Sequence, residues 1–421
     1  ANSRAVIAMM GKIERALHEN EEGAKDKRAF WSSIFRLLVK ENPDFQNILI
    51  SVDHDIETEK LAPETLEKLY GDKIYASVSS FERFYNCEYQ YFLENTLGLE
   101  TFENIDINSK IVGNFFHEVF EKVMQLTELS VDNFDEKLGT VLQEVDKNYA
   151  RYFTQDATAR FTWVNLEEIV RQTARMLKRT VAADELTTLL TESSFGLPKS
   201  ELGQFSIEEI YLRGRIDRID QLSSERLGAV DYKSSAHSFK LQDAYDGLSL
   251  QFLTYLDVLK KAFPQQKIWG ALYLQFKNQP LNLNEVNHLS EIALLLNQAM
   301  RYEGLLLTDA VADVQKVDSI AIKKNNLYSP EVFDELLQMN EQHYKNAGKR
   351  LKSGKIAINP TMKRSEGIDK SGNVQGCRYC PLKSICRFEA NVHMQQNTRE
   401  IGQKSVAEIL AELKGEATKD E

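Results

Sequence analysis

The chain carries only four cysteines in 421 residues, too few for a disulfide scaffold. It has no run approaching the roughly 20 apolar residues that cross a bilayer, and its first ten residues, ANSRAVIAMM, lack the architecture of a secretory signal. These absences lead us to expect a soluble, intracellular protein. No GxxxxGK(S/T) loop is present, which excludes nucleotide triphosphate binding by that route, and there are no internal repeats or low-complexity segments. Basic residues do not dominate either. With 52 Lys and Arg against 63 Asp and Glu the net charge is −11, which argues against a histone-like, purely electrostatic nucleic-acid binder. What is present is an ordinary globular composition, 42% hydrophobic and 27% charged, with length for two or three domains at roughly 150 residues each. The first residue is Ala, as expected of a fragment of a longer polypeptide or of a processed form.

Residues 1 to 75 show helical periodicity, as in IERALHE and FWSSIFRLLV, broken at Asn42-Pro43 and Ala62-Pro63, and read as a helical packing layer without chemistry. From Ser77 the sequence turns aromatic, and Phe81, Phe84, Tyr85, Tyr89, Tyr91 and Phe92 would cover most of a short buried helix. Gly113 precedes a second helix, NFFHEVFEKVMQL, and helices are expected to continue through residues 131–190. At 205–220 the period changes: Ile210, Leu212, Gly214 and Ile216 share one face of a strand. A turn at Ser223-Ser224 leads to LGAVDYKSS as the second strand of a hairpin. A helix over 247–262 and the strand IWGALYLQFKN follow. This order predicts an α/β core with helices against a mixed sheet. The last third reads as helical and polar, with a final helix over 404–414. The expected divisions are residues 1–75, 76–300 and 301–421.

Between His343 and Arg364 there are seven basic residues and no acidic one. A charge run is usually a solvated face, but within so acidic a chain Lys349, Arg350 and Lys352 are candidates for phosphate contact.

The chemistry concentrates in the hairpin. Asp231 and Lys233 are i and i+2 on a strand, so they project together while Tyr232 points away, and the hairpin can bring Asp217 beside them. Two carboxylates this close repel unless a cation sits between them, and hard oxygen ligands suit Mg²⁺ or Mn²⁺. The Lys233 ammonium could orient a water or offset charge on a phosphate oxygen. A lone D-x-K would more often be an alternating surface strand, and His117 alone a satisfied core histidine. Gln251 and Tyr255, at i and i+4, share a helix face. Arg213, Arg215 and Arg218 flank the acidic strand and could meet phosphates. Asp220 reads as structural, and Glu208 and Glu209 as exposed; Asp106, Glu118 and Glu121 flank the His117 helix without a firm role.

GxxxH, GRIDRID, DYK and QxxxY, in that order, resemble the RecB-type branch of the PD-(D/E)XK nuclease superfamily. The resemblance implies a restriction-endonuclease-like α/β core with a mixed central sheet, embedded in helical layers. It also implies that His117, Asp217, Asp231 and the Tyr232 main-chain carbonyl bind the divalent metal. Lys233 is then the catalytic lysine, and Gln251 and Tyr255 support the site and the DNA strand.

Cys377, Cys380 and Cys386 form C-x2-C-x5-C, and a fourth thiolate can come only from Cys87. Zinc would normally draw on two local pairs, whereas a cubane cluster accepts three close cysteines and one distant one. The reading favours iron-sulfur over zinc, and either over free structural cysteines. Such a staple would close a loop enclosing the catalytic core. With these cysteines included, residues 75–395 resemble the nuclease portion of the AddB/RexB family of bacterial helicase-nuclease subunits. That implies a 4Fe-4S cluster serving folding and hold on DNA, and an AddA/RexA-type partner carrying the ATP-driven motor. It further implies action on DNA ends and single strands in the cytoplasm, with trimming of the 5′-terminated strand during break processing for recombination. Cys87-Glu88-Tyr89 departs from the family's more usual Cys-Pro-Phe without removing a ligand. The rival readings are a free-standing RecB-like iron-sulfur exonuclease and a non-catalytic DNA-holding scaffold.

Overall fold

The structure, a computed structural model, describes residues 9–10, 12–13, 23–41, 43, 56, 59–100, 109–126, 129–235, 237–276, 288 and 301–415. Most of the helical layer expected before residue 56, and Asp106, therefore lie outside the described residues. The chain divides into two units, one of residues 70–82, 101–349 and 404–421, the other of residues 1–69, 83–100 and 350–403.

The first unit is built on an eight-stranded mixed sheet. Its strands are β1 (Ile74–Ser77), β2 (Leu186–Phe195), β3 (Ser206–Ile207), β4 (Ile210–Leu222), β5 (Leu227–Lys233), β6 (Ile268–Gln275), β7 (Glu303–Leu307) and β8 (Leu327–Tyr328). The path through the sheet is β1-β4-β5-β6-β7-β8, with β2 and β3 also paired to β4. The expected hairpin is present as antiparallel β4 and β5, and β6 lies parallel to β5. Ile210, Leu212 and Ile216 are buried as their alternation predicted, but from Ile216 to Asp220 every residue of β4 is buried, because the strand there is covered on both faces and alternation fails. The main helices are α1 (Val78–Asn86), α2 (Ser109–Met124), α3 (Phe134–Phe153), α4 (Ala157–Val181), α5 (Leu241–Tyr245), α6 (Gln251–Ala262) and α7 (Pro330–Lys352). The last helix, Val406–Leu413, starts in a capping box of Ser405 and Glu408.

Two expectations are corrected. Helix does not run to residue 190: α4 ends at Val181 and LTTLLTESSF pairs antiparallel with β4 as β2, its threonines suiting a pleated surface. Gly113 lies inside α2 rather than before it, and a Cβ there would meet nothing within 4 Å. Close packing of α2 does not require that glycine.

The aromatic face of α2 sets the register of the site. Phe116 and Phe120 stack on Phe276 at 4.6 and 4.9 Å between ring centroids, and Phe115, Val119 and Val123 are fully buried in the same core. Each such side chain contributes roughly 1.5–3 kcal/mol on burial. Tyr232 points into this core, as its position in Asp-Tyr-Lys predicts, and its ring meets Phe120 and Phe276.

In the second unit Glu59–Lys60 pairs antiparallel with Lys355–Ile356 and Thr361–Lys363 pairs parallel with Arg399–Ile401. Pro63 opens the helix Pro63–Tyr70, a position where its missing N–H is harmless. Among the described residues no helix is long and apolar enough to cross a membrane.

Candidate metal centre

The ladder between β4 and β5 closes at Arg218 opposite Val230, one residue short of Asp217 and Asp231. Where the strands part, the Tyr232 N–H, left without a cross-strand carbonyl, donates instead to Asp217 Oδ2 at 2.6 Å. Sequence alternation then sends Asp231 and Lys233 to one side, and Lys233 Nζ lies 2.7 Å from Asp231 Oδ2. Gln251, the first residue of α6, bridges the pair: its Oε1 accepts from Lys233 Nζ at 2.9 Å, and its Nε2 donates to Asp231 Oδ1 at 2.9 Å. The same Nε2 lies 2.7 Å from the Tyr255 hydroxyl one turn on. The i, i+4 pair thus works as one polar platform under the carboxylate and the amine.

His117 is delivered by α2. Its Nε2 lies 3.2 Å from the Tyr232 carbonyl oxygen; a carbonyl only accepts, so Nε2 carries the hydrogen and Nδ1 presents a lone pair. That lone pair faces Asp217 Oδ1 at 3.5 Å and Glu192 Oε1 at 3.7 Å. Glu192 was not singled out by sequence. It stands on β2 between Thr191 and Ser193, which pair with Arg218 and Ile216, and so comes opposite Asp217. Its φ of 48° is left-handed backbone that a glutamate rarely adopts. Its side chain is 6% exposed, and neither oxygen accepts a hydrogen bond, although Arg215 Nε forms an ion pair with Oε2 at 2.5 Å. The signal that would have found Glu192 is the β2–β4 register, which is invisible while the first half of β2, residues 186–190, is read as helix.

Three lone-pair donors therefore converge, and His117, Glu192 and Asp217 can hold one ion. Ligands around one octahedral Mg²⁺ lie roughly 3–4 Å apart, given metal–oxygen distances of about 2.1 Å, and the separations from Nδ1 fall in that range. The donor set of one imidazole and hard carboxylates suits Mg²⁺ or Mn²⁺. Asp231 stands beside this group rather than within it. Burial, then the neighbouring Asp231, pushes the Asp217 carboxyl up to about 7, against His117 and the Tyr232 N–H. Burial likewise raises Asp231 against the pull of Lys233. Burial disfavours charged His117, but Glu192 and Asp217 outweigh it and its pKa is raised.

A cleft of about 740 Å³ opens beside these groups, lined by His117, Asp217, Arg215 and the polar residues of α2, including Glu118 and Glu121. Arg213 and Arg215 are exposed on β4, in the i−4 and i−2 positions to Asp217. Arg218 is different: it is fully buried and ion-pairs with Asp220 at 2.8 Å, its guanidinium also donating to the Tyr302 hydroxyl. It cannot meet a phosphate, and Asp220 has the structural role expected of it. The basic block is largely engaged as well. Arg350 ion-pairs with Glu88, Lys345 with Glu341, Lys363 with Glu366 and Arg364 with Glu400; Lys352, though exposed, is engaged too, and Lys349 is exposed.

In the second unit Cys87 and the Cys377 turn are neighbours. Asn86 Nδ2 donates to the Gly376 carbonyl at 3.1 Å and its Oδ1 accepts from Thr361. A Cβ at Gly376 would come within 2.6 Å of Thr361 N, so this approach requires glycine. Cys377 and Cys380 are joined by a turn. Burial, then the nearby Cys87, Cys386 and Cys380, pushes the Cys377 thiol up to about 12, and burial drives Cys87 to about 11. All four cysteines are free.

Comparison with known proteins gives a match to the PD-(D/E)XK nuclease superfamily over residues 75–387. The chain is 76% identical over 415 residues, 99% of its length, to a Lactococcus lactis subsp. cremoris protein named exonuclease/helicase subunit RexB. It is 75% identical over the same length to a subunit of the ATP-dependent helicase/deoxyribonuclease of Lactococcus lactis subsp. lactis, and 32% identical over 95% of its length to the like-named protein of Streptococcus pyogenes. It spans 38%, 38% and 36% of those three proteins.

Proposed function

The chain belongs to the PD-(D/E)XK nuclease superfamily, and from that premise we propose that it is the Mg²⁺- or Mn²⁺-dependent deoxyribonuclease module of a helicase-nuclease subunit. The observation that carries this reading is the continuity of the polar site. Gln251 holds Lys233 and Asp231 together, and the adjoining Tyr232 main chain reaches Asp217 through its N–H and His117 through its carbonyl. His117, Glu192 and Asp217 would hold the cation, and the family resemblance adds Asp231 and the Tyr232 carbonyl beside them. When bound, the cation supplies Lewis-acid charge to the scissile phosphate. Lys233, oriented by Gln251, positions the attacking water and offsets charge developing on a phosphate oxygen. Tyr255 fixes the Gln251 amide, and Arg213 and Arg215 guide the phosphates of the incoming strand along β4.

The relatives' printed names support a place beside an ATP-driven helicase-nuclease partner of the AddA/RexA type, acting on DNA ends. The family resemblance supports removal of the 5′-terminated strand. The electrostatic influence of Cys87, Cys386 and Cys380 on Cys377, with the C-x2-C-x5-C spacing, supports a 4Fe-4S cluster in the second unit. Digestion of end-labelled single-stranded oligonucleotides with Mg²⁺ tests the reading: wild type shortens the 5′-terminated strand and Asp231→Ala does not. Equal digestion by both would favour a DNA-holding scaffold. Replacing Lys349 and Lys352 with Ala should lower the salt dependence of DNA binding by roughly one in slope for each phosphate interaction removed; an unaltered slope returns both to the solvated surface.

A further inference from the structure

Glu82 lies on α1, outside GxxxH, GRIDRID, DYK and QxxxY, yet its carboxylate reaches the helix that carries Gln251. Glu82 Oε1 accepts the main-chain N–H of Leu250 at 2.8 Å and that of Gln251 at 3.2 Å. These are the opening amides of α6, whose own N-cap, Leu250, supplies no side-chain acceptor. Opening N–H groups have no partner within their helix, and the helix dipole favours an anion there. Gln251 is also the residue whose side chain bridges Lys233 and Asp231. We infer that Glu82 is a positioning residue for Lys233 and Asp231, acting through the main chain of Gln251. The inference rests on the nuclease reading above.

A neutral Ser or Asn would cap this helix without a buried charge. Glu82 is instead forced up to about 7 by burial, which outweighs the Leu250 N–H, Lys233 and the Gln251 N–H, while Asp231 adds to the rise. The strongest charged influences on it are Lys233 and Asp231, both from β5, and the buried hydroxyls of Tyr255 on α6 and Tyr273 on β6 feel its charge in turn. An acid whose folded pKa lies above its ordinary 4.5 favours the native state while protonated. The contribution to stability falls as pH rises from 4.5 to 7, and the full cost of the charge is present at pH 8. A cap that is costly when ionised, set near an ammonium that must be aimed, serves the site rather than the fold.

Glu82→Gln leaves only a neutral acceptor for the two amides, roughly half as strong as the charge-assisted one, and removes the charge felt by Lys233, so the hold on Gln251 and on the ammonium both loosen. On the full chain, with a 5′-labelled single-stranded oligonucleotide and Mg²⁺ at pH 8, kcat should fall at least tenfold with KM unchanged. The melting temperature should rise above that of wild type at pH 8, with the difference narrowing by pH 5. Unchanged kcat would overturn the inference, as would a lower melting temperature for Glu82→Gln at pH 8, which would make the residue merely structural. Lys233→Ala measured in parallel separates the two claims. If it remains active, the nuclease reading fails; if it is inactive while Glu82→Gln matches wild type, only the role of Glu82 fails.

Discussion

Lys233→Ala is expected to lower Mg²⁺-dependent DNA cleavage by roughly a thousandfold and, at the same time, to tighten Mg²⁺ binding. The loss corresponds to about 4 kcal/mol of transition-state stabilisation, in the range found when a preorganised electrostatic group is removed from a water-poor site. The gain in metal affinity follows from geometry. The ammonium is 2.7 Å from Asp231 Oδ2 and held by Gln251, so it competes electrostatically with any cation near that carboxylate. Removing it leaves a buried anion with Gln251 as its neutral donor, and an added cation meets that need. Single-turnover cleavage at saturating Mg²⁺ and calorimetric titration of the metal measure the two effects. Activity within tenfold of wild type, or weaker Mg²⁺ binding, contradicts the assigned role.

On the proposed 4Fe-4S reading, Cys380→Ser is expected to bleach the protein and to lower its melting temperature by on the order of 10 °C. The wild-type protein should be brown with broad visible absorption. Cys380 is half-buried, so exchange of sulfur for oxygen disturbs packing little, and the effect reports the missing ligand. Cys87, Cys377 and Cys380 are all raised by burial as thiols, and Cys377 is raised further by its three fellow cysteines. Ionised together they would repel, and a cationic cluster reverses that balance. A group that binds the folded state alone adds about 4 kcal/mol at a thousandfold excess over its Kd. Visible absorption, iron and sulfide analysis and thermal melts check this. Colourless protein with stoichiometric zinc would refute the cluster.

Patterns set by neighbours in the chain were legible without coordinates. Strand alternation put Asp231 and Lys233 on one side and Tyr232 in the core, helix periodicity paired Gln251 with Tyr255, and the turn between β4 and β5 brought Asp217 to the pair. Each depends on backbone geometry over a few residues, which the order of the amino acids dictates. The tertiary structure alone decided the rest. Glu192 reaches His117 through a strand register and a left-handed φ; Glu82 caps a helix 168 residues away; and Arg218, drawn as a phosphate contact, is consumed by Asp220 and Tyr302. These outcomes depend on which distant groups burial forces together. A buried charge is governed by the partners it meets after folding, and no local spacing records them.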